Sequence, residues 1–231
     1  TKDLPYMTNS SFESKSFKQV LDKNKKYKVL IAAHDFVDGP HFSGNFIFPD
    51  LYEWLKYLVE LSKNVNYDWY IKLHPKMESK WRSYQNYTSE VVKRMCKNSK
   101  IKILPRNISH NDIISSGVDL ALTVNGSIAH EYALKGINVI NASPNNPHAS
   151  YNFNYHAKNL QDYFKLLKKG PSLRNNIKKK DIYEYYFMRY VYKSSNWFFE
   201  DYNNILGKLD DYHDQWTPKI YKVWMKYYSK K

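Results

Sequence analysis

The sequence predicts an α/β fold, a doubly wound parallel sheet followed by a helical C-terminal extension, and three observations carry that expectation. Short apolar runs alternate with segments of helical periodicity five times between residues 27 and 150. The runs stop at residues that end strands, His74-Pro75 and Asn125-Gly126-Ser127 among them. Beyond Ser143-Pro144-Asn145-Asn146-Pro147-His148 the composition turns to aromatic stretches of helical spacing. Strand–helix alternation of this kind is met by a Rossmann-like sheet with right-handed crossovers.

Each element follows in order. Residues 1–15 are polar and rich in Ser and Asn, a linker or loosely ordered lead-in, and a short helix is expected near 17–22. Residues 27–34 read as a strand that opens into a long irregular loop, 35–45; such a loop at a strand's carboxyl end is usually functional. Leu51, Trp54, Leu55, Leu58 and Leu61 then recur at helical spacing, with Pro49-Asp50 marking the start. The strand 67–73 must stop at Pro75, because proline cannot continue a central ladder, so His74 belongs at its carboxyl end. A basic loop with Lys76, Lys80 and Arg82 leads to a helix near 88–97, a strand at 101–105, and a brief helix at 109–116 capped by Ser109 or Asn111. Residues 120–140 read as strand, tight turn, helix, strand. A helix at 159–169 ends at Gly170-Pro171, and further helical stretches are expected at 181–192, 196–209 and 218–228. The expected domains are a lead-in at 1–26, a Rossmann-like α/β domain at 27–157, and a helical extension at 158–231 packed on it.

The 231 residues suffice for one substantial core with a helical appendage. A single cysteine, Cys96, excludes an internal disulfide, and its helical context makes it a core or semi-exposed thiol rather than a nucleophile. No run of about 18 apolar residues is present to span a bilayer. The chain opens Thr1-Lys2-Asp3, as expected of processing or of an excerpt from a longer polypeptide. A net charge of +14 favours anionic partners such as nucleotide phosphates, acidic glycans or an anionic membrane face. A nucleic-acid partner is disfavoured, because no RNA-binding motif, zinc-finger spacing or recognition helix accompanies the lysines.

The stretch around Asn125-Gly126-Ser127 has the pattern of an anion site, since a buried strand delivers the chain to a helix whose first N–H groups lack intrahelical partners. At about 100° per residue Ser127, His130 and Glu131 share one face of that helix, and Ala129, Tyr132 and Ala133 the other. The same residues also suit a plain turn with an N-cap, which needs no ligand. His74 belongs on the rim where open parallel sheets take their ligands. The loop carrying His34, Asp35, Asp38 and His41 holds the best acid/base candidates. Its spacing fits no metal-ligand pattern, and ordered-loop hydrogen bonding is an equal reading. Asn145, Asn146, His148 and Tyr151 follow the next strand and border the same edge.

The ordered pair Lys72-Leu73-His74-Pro75 and Asn125-Gly126-Ser127-Ile128-Ala129-His130-Glu131-Tyr132-Ala133 resembles the donor-binding half of GT-B glycosyltransferases. More narrowly it resembles the bacterial capsule and surface polysaccharide biosynthesis enzymes, over residues 27–150. This resemblance implies a glycosyltransferase that needs no metal or other cofactor and takes a nucleotide-sugar donor, with CMP-sugars favoured over UDP- and GDP-sugars. Gly126 and Ser127 would hold the donor phosphate, with Asn125 shaping the turn; His74 and Pro75 would meet the nucleotide or phosphate, and Glu131 the ribose. It also implies a glycan or lipid-linked acceptor, and an N-terminal GT-B domain or another capsule-synthesis protein as partner. No apolar leader begins the chain, and together with the basic surface this gives the expectation of a cytoplasmic setting, peripheral at the inner face of the membrane. Two other functions stand beside it: polyol-phosphate transfer from a CDP-linked donor, and a non-catalytic module binding nucleic acid or anionic glycan.

Overall fold

The computed structural model describes residues 19–36, 46–74, 83–105, 108–175, 177–192, 208–209 and 218–229. Six strands build one sheet: β1 (Lys28–Ala32), β2 (Asp68–Lys72), β3 (Ile101–Ile103), β4 (Leu120–Thr123), β5 (Asn138–Asn141) and β6 (Tyr155–His156). All pairings are parallel, and the order across the sheet is β3-β2-β1-β4-β5-β6. That is the Rossmann order, with its reversal between β1 and β4. The helices among the described residues are α1 (Leu51–Asn64), α2 (Ser83–Cys96), α3 (His110–Ser115), α4 (Ile128–Leu134), α5 (Leu160–Lys169), α6 (Lys179–Tyr186) and α7 (Lys219–Tyr228).

Local chemistry fixes the helix ends. Asp50 Oδ1 accepts from Glu53 N–H at 2.8 Å, Ser109 accepts from Asp112 N–H, and Asn159 Oδ1 accepts from Asp162 N–H at 2.9 Å. α4 stops at Gly136, whose φ of +81° lets Ile137 N–H turn back to Tyr132 O.

Period-2 alternation sorts the strands into two cores. Val29, Ile31, Trp69, Ile71, Leu122 and Ile140 face Trp54, Leu55 and Leu58 of α1, Val92 and Cys96 of α2, and Tyr163 and Leu167 of α5. Leu30, Tyr70, Ala121 and Val139 face Ile113 of α3 and Ala129 and Tyr132 of α4. Each large side chain so buried contributes about 1.5–3 kcal/mol. Trp54 Nε1–H, fully enclosed, donates to Tyr163 Oη at 2.9 Å and ties α1 to α5. Cys96 is buried, and burial pushes its thiol up to about 11.

Several expected elements come out differently. Residues 19–22 are not helical; they are strapped down by Gln19 Nε2 donating to Leu21 O and Ser116 O, Val20 N–H to Ser116 Oγ, and Asp22 N–H to Tyr70 Oη. Leu21 is thereby buried in the α3/α4-side core. α2 starts at Ser83 rather than near 88. The stretch 181–192 is not one α-helix, since α6 passes at Tyr186 into a π-helical turn over Phe187–Val191. The expected lead-in 1–15 and most of the helix at 196–209 lie outside the described residues.

By its internal contacts the chain divides into Thr1–Tyr183, which holds the sheet, and Glu184–Lys231. Among the described residues no helix is long and apolar enough to cross a membrane.

Candidate functional site

Because every strand is parallel, all six carboxyl ends lie on one rim. β1 sits between β2 and β4, with Ala32 level with Lys72 and Ile31 with Leu122. The turn that follows Lys72 and the turn that follows Thr123 therefore flank the end of β1, about 10 Å apart at the usual strand spacing. The last strand residues Lys72, Thr123, Asn141 and His156 form a polar row across the sheet, interrupted by Ala32. One residue further on, Leu73, Ala33, Val124, Ala142 and Ala157 are apolar and packed into the α1/α5-side core. The alternation thus puts polar side chains at the rim on the face that α3 and α4 cover.

His34 knots the reversal point together. Val124 N–H donates to His34 Nε2 at 3.1 Å, so that nitrogen is an acceptor and the proton of the neutral ring sits on Nδ1. Thr123 Oγ1 lies 2.9 Å from the same Nε2 and accepts from Gly126 N–H at 3.1 Å, which leaves its hydroxyl proton for the imidazole. The ring also meets Trp54 edge-on at 5.8 Å. Burial, helped by the neighbouring His74, holds its pKa down to about 4. Gly126 is required here by close approach, because a Cβ would come within 2.8 Å of Thr123 Oγ1 and 3.4 Å of His34 Cε1.

The other site candidates distribute around this knot. His74 is half-buried, two residues past Lys72 and close enough to His34 to act on its titration. Ser127 has helical backbone angles and makes no side-chain cap bond; its hydroxyl is bonded to Glu131, one turn on. Burial raises the Glu131 carboxyl above its ordinary value, and the Ser127 bond opposes the rise. Asn125 is half-buried at the head of the turn. His130 is buried, as are Ala129, Tyr132 and Ala133, and its ring lies 6.1 Å from that of His148. Asp35 is buried and accepts from Thr88 Oγ1 of α2 at 3.0 Å, which fixes where the long loop leaves β1. Asp38, His41 and Pro75 lie outside the described residues.

Further residues complete the rim. Lys72 is buried and donates to Ile108 O at 2.8 Å; desolvation lowers its pKa to about 8. His110, hydrogen-bonded through Nδ1 to Tyr132 Oη at 2.9 Å, is held down to about 3 by burial and by the Lys72 charge. Asn141 Nδ2 donates to Tyr155 O at 3.1 Å and Asn146 Nδ2 to Ser143 O at 3.1 Å, pinning the β5–β6 connection. Within it His148 stacks on Phe153 at 5.5 Å and meets His156 at 5.1 Å. The available signal was a polar residue closing an apolar run, at Thr123 and at Asn141. At the same end of the sheet a cleft of about 370 Å³ opens among Phe46, Ile47, Pro144, Lys158, Asn159 and Leu160. No cluster of three or more His, Cys, Asp or Glu is placed to hold a metal among the described residues.

Fold and rim together define a Rossmann-like α/β domain whose strand order reverses between β1 and β4. No family model matches the chain, and no curated protein matches it. Among solved structures it is similar to Thermosulfurimonas dismutans KpsC, a beta Kdo 2,4 transferase, at 17% identity over 66% of this chain and 43% of that one, with a TM-score of 0.45. It is also similar to the Methanocaldococcus jannaschii UDP-GlcNAc 2-epimerase in complex with UDP-GlcNAc and UDP, at 15% identity over 69% of this chain and 41% of that one, TM-score 0.45. The chain spans about two fifths of the length of these two proteins.

Proposed function

We propose that this chain is the donor-binding half of a glycosyltransferase of bacterial capsule or surface polysaccharide biosynthesis, moving a sugar from a nucleotide-activated donor to a glycan or lipid-linked acceptor. The observation that carries the reading is the meeting of His34, His74 and the Asn125-Gly126-Ser127 turn where the strand order reverses, the place at which open α/β sheets bind ligands. The resemblance of the two motifs supplies the ligand class, and a CMP-linked sugar is the favoured donor.

In this reading the leaving nucleotide gains negative charge as its bond to the sugar breaks, and fixed N–H and O–H donors at that position lower the barrier. Gly126 N–H is already turned to Thr123 Oγ1, so the phosphate meets the later donors of the turn, the Ser127 and Ile128 N–H groups, and the Ser127 hydroxyl, which turns to it from Glu131. Glu131, released from Ser127, accepts from the ribose hydroxyls. His74 approaches the phosphate from β2. His34 acts through the turn, holding Val124 and Thr123 so that the donors keep their direction. Asp35 anchors the loop that carries Asp38 and His41, one of which takes the acceptor's hydroxyl proton. The cleft beside Pro144 gives the transferred sugar room.

A thermal-shift panel of CMP, CDP, UDP and GDP and their sugar conjugates tests the site and the base preference together. A CMP-dependent rise in Tm that Ser127→Ala and His74→Ala abolish supports the assignment, and unchanged nucleotide binding in both variants refutes it. Turnover separates the two chemistries: sugar transfer releases the whole nucleotide phosphate, whereas polyol-phosphate transfer leaves a phosphate in the product.

A further inference from the structure

We propose that α7 is a membrane-surface helix that docks the C-terminal unit on an anionic bilayer. The inference does not rest on the donor-site reading. Residues 216–231 contain no Asp or Glu and carry Lys219, Lys222, Lys226, Lys230 and Lys231. Within α7 Ile220 is buried and Val223 and Trp224 are half-buried, so one side of the helix is already packed. Tyr221 and Met225, one turn apart, are 64% and 72% exposed. Lys222 and Lys226, also exposed, follow each of them, so at about 100° per residue an apolar row runs directly beside a cationic row. Preceding it in the same unit, the π-helical turn and the residue after it leave Phe187, Met188, Val191 and Tyr192 about half exposed or more, with Arg189 among them.

Large apolar side chains held in water mark an interaction surface, and the chemistry of this one selects its occupant. A row of Tyr and Met beside a row of Lys, free of acidic residues, is the arrangement of a helix lying in a lipid interface, apolar side chains among the acyl chains and ammonium groups at the phosphates. A second copy across a two-fold axis would set Lys222 and Lys226 against their own counterparts. A nucleic acid would satisfy the lysines but give Met225 nothing apolar to bury against.

The test uses the full chain in co-sedimentation with vesicles of phosphatidylcholine alone and of phosphatidylcholine with one third phosphatidylglycerol. Binding is expected to the anionic vesicles and not to the neutral ones. Lys222→Gln with Lys226→Gln should weaken it about 30-fold, since each lysine near such a surface is worth about five-fold. Tyr221→Ser with Met225→Ser should weaken it at both low and high salt. All four side chains are exposed, so circular dichroism should stay unchanged. Absence of binding to anionic vesicles overturns the proposal, and so does binding that only the lysine pair affects, which is charge attraction without insertion. Competition by an oligonucleotide that survives Tyr221→Ser/Met225→Ser, or a dimer that those substitutions dissolve, overturns it in favour of the other occupants.

Discussion

Acidification should unfold this protein through two histidines that the fold keeps neutral. His34 falls from an ordinary value of 6.5 to about 4 and His110 from 6.5 to about 3. Below pH 6.5 the unfolded chain binds a proton at each site while the folded chain does not, so the stability they contribute is complete above that pH and is lost as pH falls toward the folded values. Each such histidine costs about 1.4 kcal/mol per pH unit across the window. For His34 alone the loss between pH 6.5 and 4 amounts to about 3 kcal/mol, a large part of an ordinary domain's stability. The perturbation is His34→Gln, whose side-chain oxygen can still accept from Val124 N–H but does not titrate. Urea unfolding at pH 7, 6 and 5 gives the slope of stability against pH for both proteins, with the m-value checking that the unfolded state is unchanged. The variant should lose about 1.4 kcal/mol less per unit between pH 6 and 5, the carboxylates common to both proteins cancelling. Equal slopes would refute the assignment of His34 as a neutral acceptor in the turn.

Gly126→Ala drives a methyl into Thr123 Oγ1, and should cost about 1–3 kcal/mol in urea unfolding while weakening any nucleotide response in the thermal-shift panel. Trp54→Phe leaves Tyr163 Oη without its buried donor and opens a void between α1 and α5; a loss of about 1–3 kcal/mol is expected from the same assay. Asp50→Ala removes the cap on α1 and should cost about 1 kcal/mol, with Asp50→Ser restoring most of it. Cys96, buried with its thiol pushed up to about 11, should resist a thiol-specific disulfide reagent in the native protein and react at once in urea.

Strands β1 to β5 were legible because each is an apolar run closed by a strand-ending residue, and α1, α3 and α5 because Asp50, Ser109 and Asn159 stand where an N-cap must. The rim was legible too: His74 was placed by the proline after it, and parallel pairing did the rest. β6 escaped because Tyr155-His156 is two residues long and carries no periodicity; only its pairing with β5 makes it a strand. The burial of His130 escaped because the ring beside it, His148, arrives from a loop eighteen positions later, which helical spacing does not encode. His34 read as an acid/base candidate because its type and its loop suggested one. Its actual bonds run to Val124 and Thr123, ninety residues away, and no local pattern encodes them.

The two margins of the sheet are its shortest strands, three residues in β3 and two in β6. An unpaired margin is a template on which a foreign strand can zip, and its hazard grows with its length. Here such a recruit would find at most three residues to grip. As far as the described strands go, crowded copies of this chain should therefore resist growing into cross-β ribbons.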